Sequence, residues 1–554
     1  MPHPRQHIPD LARILKIRKV EKIVISPGSR SAPLIRAFVE AFGNDCISIV
    51  DERSAAYFAL GVAVYTGKPV AMVCTSGTAV LNYGPAMAEA FYQHVPLLAI
   101  TADRPHEWID QYDNQTLRQH GIFNNYIKRS FELPQLITTD EDLWFAHRMV
   151  NDAVNICTTH HSPVHINVPL TEPLYDELPP PSEKVRIIPH VIPELILRLP
   201  DDLLNTWISA RSIMIVHGQD DPRNDMLTVL RPLLKDPRVV IVAENISNIR
   251  DDEIISDSNL VLSLSRRKSP EQPDLLIHSG GQVVSKSLTG YLRRGLNTQC
   301  WRVGTDEIII DTFKLADNIV PYPARVFYSA LGANLSHNKN KYRLNWLNMA
   351  SSARDRAAEK LAGLPFSDVH VFGQVMKSLP EGSLAMLGNS SVIRYSQLFR
   401  CQADIRYYSN RGVSGIDGAL STAAGIAAAS NNLTIAILGD LGFLYDSNAM
   451  WNRELSSNLR ILVVNNQGGG IFHILKGPSE QPGFDKFIEA NHPVNIAKLA
   501  EAYGLKYLFA GDDASLAGQW PDFINPHEQQ PVILEVKTNA AVSAATFRSL
   551  MASQ

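Results

Sequence analysis

The chain has 554 residues, of which 45% are hydrophobic and 19% charged, and its formal net charge is −4. This composition describes a globular protein with ample core and room for about three or four domains, and its slightly acidic balance excludes bulk nucleic-acid binding as the main task. The five cysteines, at positions 46, 74, 157, 300 and 401, are scattered and form no Cys-x-x-Cys pair, which argues against zinc and for a reducing compartment. With no apolar leader and no run of membrane-spanning length, the expectation is a soluble, cytoplasmic protein without integral membrane association.

The first block, residues 1–180, carries apolar runs at 22–26, 47–50, 70–74, 97–100 and 164–168, with helical patterns between them. These read as buried parallel strands of βαβ units. The first three lead into polar, small-residue motifs: Ser26-Pro27-Gly28-Ser29-Arg30-Ser31, Asp51-Glu52-Arg53-Ser54-Ala55 and Thr75-Ser76-Gly77-Thr78-Ala79. Ligands of open α/β sheets bind outside the carboxyl ends of the strands, and small residues there let a ligand approach the backbone. Taken alone, Glu52 reads as a solvated charge at a helix start. Three prolines at 179–181 mark a linker.

The second block, residues 190–345, is less distinctive, with strands expected at 212–217, 239–243, 260–263 and 274–277. The third, residues 350–554, opens with a charged, alanine-rich stretch at 353–360, a solvated helix face or interdomain helix. Strands are expected at 384–387, 405–408, 434–438, 461–464 and 532–536. Two apolar runs of this block end in polar signatures, one in Gly439-Asp440-Leu441 and the other in Asn465-Asn466-Gln467-Gly468-Gly469-Gly470. Each alone reads as a turn after a strand. Together they bring a carboxylate and an amide to one crevice, and such hard oxygen ligands suit Mg²⁺ bound with the oxygens of a phosphate. The fold expectation is α/β: three consecutive α/β domains with mainly parallel sheets.

The paired signature resembles that of thiamine-diphosphate enzymes, although Leu441 stands where the general pattern has glycine. The three N-terminal motifs, together with Thr101-Ala-Asp-Arg-Pro105, Asn114-Gln115, Gly388-Asn-Ser390 and Ser409-Asn-Arg-Gly-Val-Ser-Gly-Ile-Asp-Gly418, resemble the 2-succinyl-5-enolpyruvyl-6-hydroxy-3-cyclohexene-1-carboxylate (SEPHCHC) synthase family over nearly the whole length. The resemblance implies the thiamine-diphosphate-binding fold, with pyrimidine-binding, central transhydrogenase-like and diphosphate-binding domains in that order. It also implies a transferase of menaquinone biosynthesis that decarboxylates 2-oxoglutarate and adds the four-carbon carbanion equivalent in a 1,4 sense to isochorismate. The cofactors would be thiamine diphosphate and Mg²⁺, with Mn²⁺ as a substitute. The partners would be these two small-molecule substrates and a second copy of the chain, in a homodimer or dimer of dimers with sites between subunits. An intrachain site stays open on the sequence.

Residue by residue, the resemblance makes Glu52 the catalytic group at the aminopyrimidine N1′. Asp440, the Asn466 side chain and the Gly468 carbonyl become the metal ligands. Ser76, Gly77, Gly439 and Leu441 become cofactor contacts, with Ile416, Ile471 and Phe472 either wedging the cofactor or packing as ordinary core. Arginine binds carboxylates in a bidentate fork, and by resemblance to the family motifs Arg394 and Arg411 with Ser390 are expected at 2-oxoglutarate. Arg30 and Arg104 with Asn114 are expected at isochorismate, and Ser29, Ser31 and Gln115 are further substrate contacts. Two readings are open for Lys286: a substrate contact from the central domain, or exposed surface. Competing readings are another thiamine-diphosphate decarboxylase or carboligase such as acetolactate synthase, and a non-catalytic nucleotide-binding α/β protein. A nicotinamide dehydrogenase lacks support because no strand-linked GxGxxG is evident.

Overall fold

Three six-stranded sheets follow one another along the chain, and the strands pair in parallel. The computed structural model describes residues 2–191, 195–265, 270–335, 340–400, 404–474 and 477–552; Cys401 lies outside them. The first sheet comprises β1 (Ile23–Ile25), β2 (Cys46–Ser48), β3 (Val70–Cys74), β4 (Leu97–Asp103), β5 (Ser130–Glu132) and β6 (Val164–Pro169), in the order β2-β1-β3-β4-β6-β5. The second comprises β7 (Ile213–His217), β8 (Val239–Ala243), β9 (Ile254–Ile255), β10 (Leu275–Ser279), β11 (Gln299–Val303) and β12 (Ala316–Val320), in the order β12-β11-β10-β7-β8-β9. The third comprises β13 (Leu384–Leu387), β14 (Arg406–Tyr408), β15 (Thr434–Gly439), β16 (Leu459–Asn465), β17 (Lys506–Ala510) and β18 (Val532–Lys537), in the order β14-β13-β15-β16-β18-β17.

The first and third sheets therefore repeat one topology. In each, the strand order reverses between the first and third strands, so the loops after β1 and β3, and after β13 and β15, open at switch points. These loops hold Arg30, Ser76, Ser390 and Asp440. Strands β3, β4 and β16 are buried along their whole length, which is why their sequences run largely apolar without alternation; β6 is equally buried although it alternates, its inward His165 and Asn167 both reaching the Thr101 hydroxyl.

Residues 260–263 are not a strand, as expected from the sequence, but part of the helix Ser258–Leu264. Its buried Leu260, Val261 and Leu264 follow helical spacing, and a short apolar run does not distinguish the two states. The stretch 353–360 lies in the helix Tyr342–Leu361, which buries Trp346, Ala350, Ala353 and Ala357 at four-residue or near-four-residue spacing and leaves the charges outward. The proline segment after residue 178 adopts no regular element and laces back onto the first block, where Gln6 donates to the Pro180 carbonyl at 2.9 Å.

One apolar core is shared between the first and third blocks. Its axis is the packing of helix Glu52–Thr66 on helix Ala419–Ala429. The approach is close because both crossing points are glycine: a Cβ on Gly61 would stand 2.1 Å from the Thr422 carbonyl oxygen, and one on Gly425 2.0 Å from that of Phe58. This contact sets the start of the helix, through Asp51 and Arg53, on Asn448 and Tyr445 of the third block. Among the described residues, no helix is long and apolar enough to cross a membrane.

Candidate cofactor and substrate site

The third sheet's switch point opens into a cavity lined by residues 368–472 of the third block alone, including Ser390, Ile416, Asp440, Leu441, Asn466 and Gly468. Gly439, Gly470 and Phe472 also line it, and Ile471 is buried beside it at the start of the helix Ile471–Ile474. Asp440 is buried at the end of β15. Its Oδ1 accepts from the Leu441 N–H at 2.7 Å and its Oδ2 from the Gly468 N–H at 2.9 Å, so the glycine loop after β16 is tied to the carboxylate after β15. His492 Nε2 stands 3.3 Å from the same Oδ2.

Asn466 points its amide nitrogen at the buried Asp368 carboxylate, 2.9 Å away. Asp368 also accepts from Thr538 at 2.6 Å and Ser543 at 3.0 Å, and burial raises its pKa. These bonds fix the Asn466 amide so that Oδ1 is buried with no hydrogen-bond partner among the described residues. An unpartnered buried acceptor is costly, and a cation would satisfy it. Among the described residues, no group of three or more His, Cys, Asp or Glu converges as a metal cluster. The donor set here is instead one carboxylate, one amide oxygen and backbone, which fits a hard cation that draws its remaining oxygens from a diphosphate. The third glycine of the loop is needed for space, because a Cβ on Gly470 would stand 2.5 Å from Asn466 Nδ2.

Beside the cavity, the loop after β13 holds Ser390 at φ 65°, ψ −123°, a conformation that costs a non-glycine residue about 1–3 kcal/mol and persists where surrounding structure enforces it. Arg394 Nη1 donates to the Ser390 carbonyl at 2.7 Å, and Arg411 Nη1 donates to Asn389 Oδ1 at 2.9 Å. Burial lowers the pKa of Arg411. The neighbouring Arg394 charge pushes the same way, while Glu244 and Glu89 oppose it. Arg411 Nε is buried without a partner. Two desolvated guanidinium groups with spare donors at one cavity edge are suited to a carboxylate. Lys286 is exposed at the start of the helix Lys286–Leu292.

A second pair of arginines gathers on the first sheet. Arg30 is buried and donates to the Leu170 carbonyl at 3.0 Å and to Glu172 at 3.1 Å. Arg104 pairs with Asp113 at 3.0 Å and lies 4.0 Å from the same Glu172 oxygen. The Nε atoms of both arginines are buried without partners. Burial lowers the Arg30 pKa, and the nearby Arg104 charge adds to the effect. Ser29 is exposed, and Ser31 is buried with its hydroxyl on the Gly28 carbonyl at 2.9 Å. Asn114 and Gln115 are exposed on the adjoining loop.

Glu52 lies near Cys74 at the end of β3, half-buried, with burial raising its pKa. Its neighbours are anchored: Asp51 caps the helix through the Ser54 N–H at 2.8 Å and accepts from Asn448 at 2.6 Å, and Arg53 donates to the Tyr445 carbonyl at 2.9 Å. Ser76 Oγ is buried without a partner, and the Gly77 N–H donates to Gln119 at 2.8 Å. Among the described residues, none of the first block lines the third-block cavity.

The sequence reading missed Asp368, Asn389, Gln119, Glu172 and Asp113. Asn389 lay inside a motif already noted, and its short polar side chain after a buried strand was the available signal. Asp368, after Ser367, reads only as a helix start.

Comparison with known proteins places the first and third blocks in known families. Residues 9–122 match the family described as thiamine pyrophosphate enzyme, N-terminal TPP binding domain, and residues 387–536 match its C-terminal TPP binding domain. A 2-succinyl-5-enolpyruvyl-6-hydroxy-3-cyclohexene-1-carboxylate synthase of Desulfotalea psychrophila is 40% identical over 509 residues, covering 91% of this chain and 93% of that protein. Proteins of the same name from Flavobacterium psychrophilum (38% identical, 96% of each chain) and Phocaeicola vulgatus (37% identical, 98% of this chain and 97% of that protein) are similarly related.

Proposed function

Because the chain belongs to the 2-succinyl-5-enolpyruvyl-6-hydroxy-3-cyclohexene-1-carboxylate synthase family, we infer that it is a thiamine-diphosphate-dependent transferase that joins decarboxylated 2-oxoglutarate to isochorismate in menaquinone biosynthesis. The observation that carries this reading is the juxtaposition of a diphosphate-type cavity, with its unpartnered Asn466 oxygen, and an arginine pair at its edge. When bound, thiamine diphosphate supplies the electron sink for loss of CO₂ and for the new carbon–carbon bond.

The side chains divide the remaining work. Asp440 and Asn466, with Gly468, would hold Mg²⁺ against the diphosphate, and Mn²⁺ offers the same octahedral oxygen chemistry. Asp368 orients the Asn466 amide. Ile416, Leu441, Ile471 and Phe472 give the cofactor an apolar surround. Glu52 would hold a proton at the pyrimidine N1′, and burial shifts its pKa upward. Arg394, Arg411 and Ser390 would orient the 2-oxoglutarate carboxylate. Arg30 and Arg104, with Asn114, would receive isochorismate, Glu172 and Asp113 holding the two like charges together until the substrate arrives. Ser29, Ser31 and Gln115 border that site, and Ser76 and Gly77 border the cofactor. The exposed Lys286 is left as surface.

Glu52 belongs to the first block, whereas the cavity is built by the third. A homodimer in which one subunit's first block faces its partner's third block would complete two equivalent sites, and pairs of dimers would give a tetramer. We place the enzyme in the cytoplasm. The test is release of CO₂ from carboxyl-labelled 2-oxoglutarate by the purified protein. Release is expected only with thiamine diphosphate and a divalent cation present, and release without cofactor, or none with it, contradicts the reading.

A further inference from the structure

Among the described residues the central block lines none of the third-block cavity, yet its sheet has the strand order of a dinucleotide-binding fold, with its switch point between β7 and β10. That crevice is filled by its own loops. The Gly218 N–H donates to Ser279 O at 2.9 Å, Gln219 N–H to Gln282 O at 3.0 Å, and Gly281 N–H to Gln219 O at 2.8 Å. A Cβ on Gly218 would stand 2.0 Å from the Gly281 carbonyl oxygen. Such an edge has no room for a ligand between its two loops.

The side chains leaving this closed edge reach the third block instead. Gln219 Nε2 donates to the Ser409 carbonyl at 2.9 Å. The Gln282 amide donates to the Gly412 carbonyl at 3.3 Å and accepts from the Ser414 hydroxyl at 3.1 Å. From the loop after β8, Asn248 makes a two-point clasp on one residue: its Oδ1 accepts from the Tyr407 N–H at 2.7 Å, and its Nδ2 donates to the Tyr407 carbonyl at 3.0 Å. Tyr407 lies in β14, the edge strand of the third sheet. Parallel pairing with β13 turns Tyr407's own N–H and C=O outward, so the asparagine amide stands where the next strand's backbone would be. Asn248 is itself in the left-handed conformation, φ 57°. The segment clasped in this way, 407–414, carries Arg411.

We propose that the central block is a positioning device for substrate selection, in which Asn248 and Gln219 fix residues 407–409 so that the Arg411 guanidinium is held at Asn389, ready for the 2-oxoglutarate carboxylate. This inference rests on the reading of Arg411 as a carboxylate-binding group. Asn248 and Gln219 touch no substrate; they act through Arg411.

The test uses the full-length holoenzyme. Asn248→Gly removes the amide and keeps a residue at ease with positive φ. The expected result is a rise of about tenfold in KM for 2-oxoglutarate, the scale of one or two lost hydrogen bonds, with thiamine-diphosphate affinity and the isochorismate KM unchanged. Gln219→Ala should shift KM in the same direction, and it carries the test alone if Asn248→Gly does not fold. A double-mutant cycle separates positioning from general weakening. In the Arg411→Ala background, Asn248→Gly should add nothing to KM, whereas an indirect structural role would add equally in both backgrounds. If Arg411→Ala leaves the 2-oxoglutarate KM unchanged, the assignment of Arg411 fails. If Arg411→Ala raises KM but the clasp variants leave it unchanged, or their effects add fully to it, the positioning inference is overturned and the assignment of Arg411 stands.

Discussion

Replacing Asn466 by alanine separates what this side chain does for folding from the metal role proposed for it. Without cofactor, its Nδ2 donates to Asp368 at 2.9 Å while its Oδ1 is buried and unpartnered. Losing a hydrogen bond to a carboxylate costs about 1.5–3 kcal/mol, and removing an unsatisfied buried acceptor relieves about 1–3 kcal/mol. The two are of similar size, and Asp368 keeps Thr538 at 2.6 Å and Ser543 at 3.0 Å. The cofactor-free variant should therefore unfold within about 2 kcal/mol of the parent. With thiamine diphosphate and Mg²⁺ the balance changes, because Oδ1 then has a partner to lose. A contact of about 1.5–3 kcal/mol corresponds to a roughly tenfold to hundredfold weaker cofactor Kd, and the stabilisation by excess ligand falls by the same free energy. Thermal unfolding with and without cofactor, beside calorimetric titration at fixed Mg²⁺, measures both quantities. An unchanged Kd, or a loss confined to the cofactor-free protein, refutes the metal role of Asn466.

The arginine pairs make separable predictions: Arg394→Ala should weaken 2-oxoglutarate use, and Arg30→Ala isochorismate use, each by roughly tenfold to a hundredfold. Steady-state KM values for the two substrates check the division, and the opposite pattern would reverse it. Burial raises the Asp446 carboxyl to about 7 despite its bonds from the Ser421 N–H and hydroxyl, against an unfolded value of about 3.9. The folded state then binds more protons than the unfolded chain between about pH 4 and 7, so this group makes stability fall as pH rises through that window. Asp446→Asn should flatten that fall in a series of Tm measurements, and an identical slope would contradict the assignment. Gly425→Ala drives a Cβ to 2.0 Å from the Phe58 carbonyl oxygen and should destabilise by at least about 1–3 kcal/mol in denaturant unfolding. A variant of parental stability would show that the two helices can separate freely.

Much of the candidate site's geometry was legible because its signals are local. Asp440 and Asn466 each follow a buried strand within a few residues, and the parallel sheet brings β15 and β16 side by side, so two short motifs sufficed. Their supports were not legible. Asp368 reaches Asn466 across 98 residues of sequence, Glu172 reaches Arg30 across 142, and Glu89 accepts from the Gly412 N–H across 323. No periodicity encodes such pairings. The same limit explains the strands. The buried runs of β3 and β16 announced themselves, whereas β17 is mostly half-exposed and β9 has two residues. The run at 260–263, apolar enough for a strand, became a helix because its buried positions share one helical face. The arginines were singled out as candidates by resemblance of their motifs. That Arg30 and Arg104 meet on one carboxylate, and Arg394 and Arg411 on one loop, emerged only from the fold.

The most direct test of the account is identification of the carboligation product by mass spectrometry. Purified protein with thiamine diphosphate and Mg²⁺ would be given isochorismate together with either 2-oxoglutarate or pyruvate. The account predicts SEPHCHC with 2-oxoglutarate, the loss of one CO₂ per product, and little product with pyruvate, whose single carboxylate leaves the Arg394–Arg411 cluster without a second anionic group to hold. Acetolactate from pyruvate, or no cofactor-dependent product from 2-oxoglutarate and isochorismate, would contradict it.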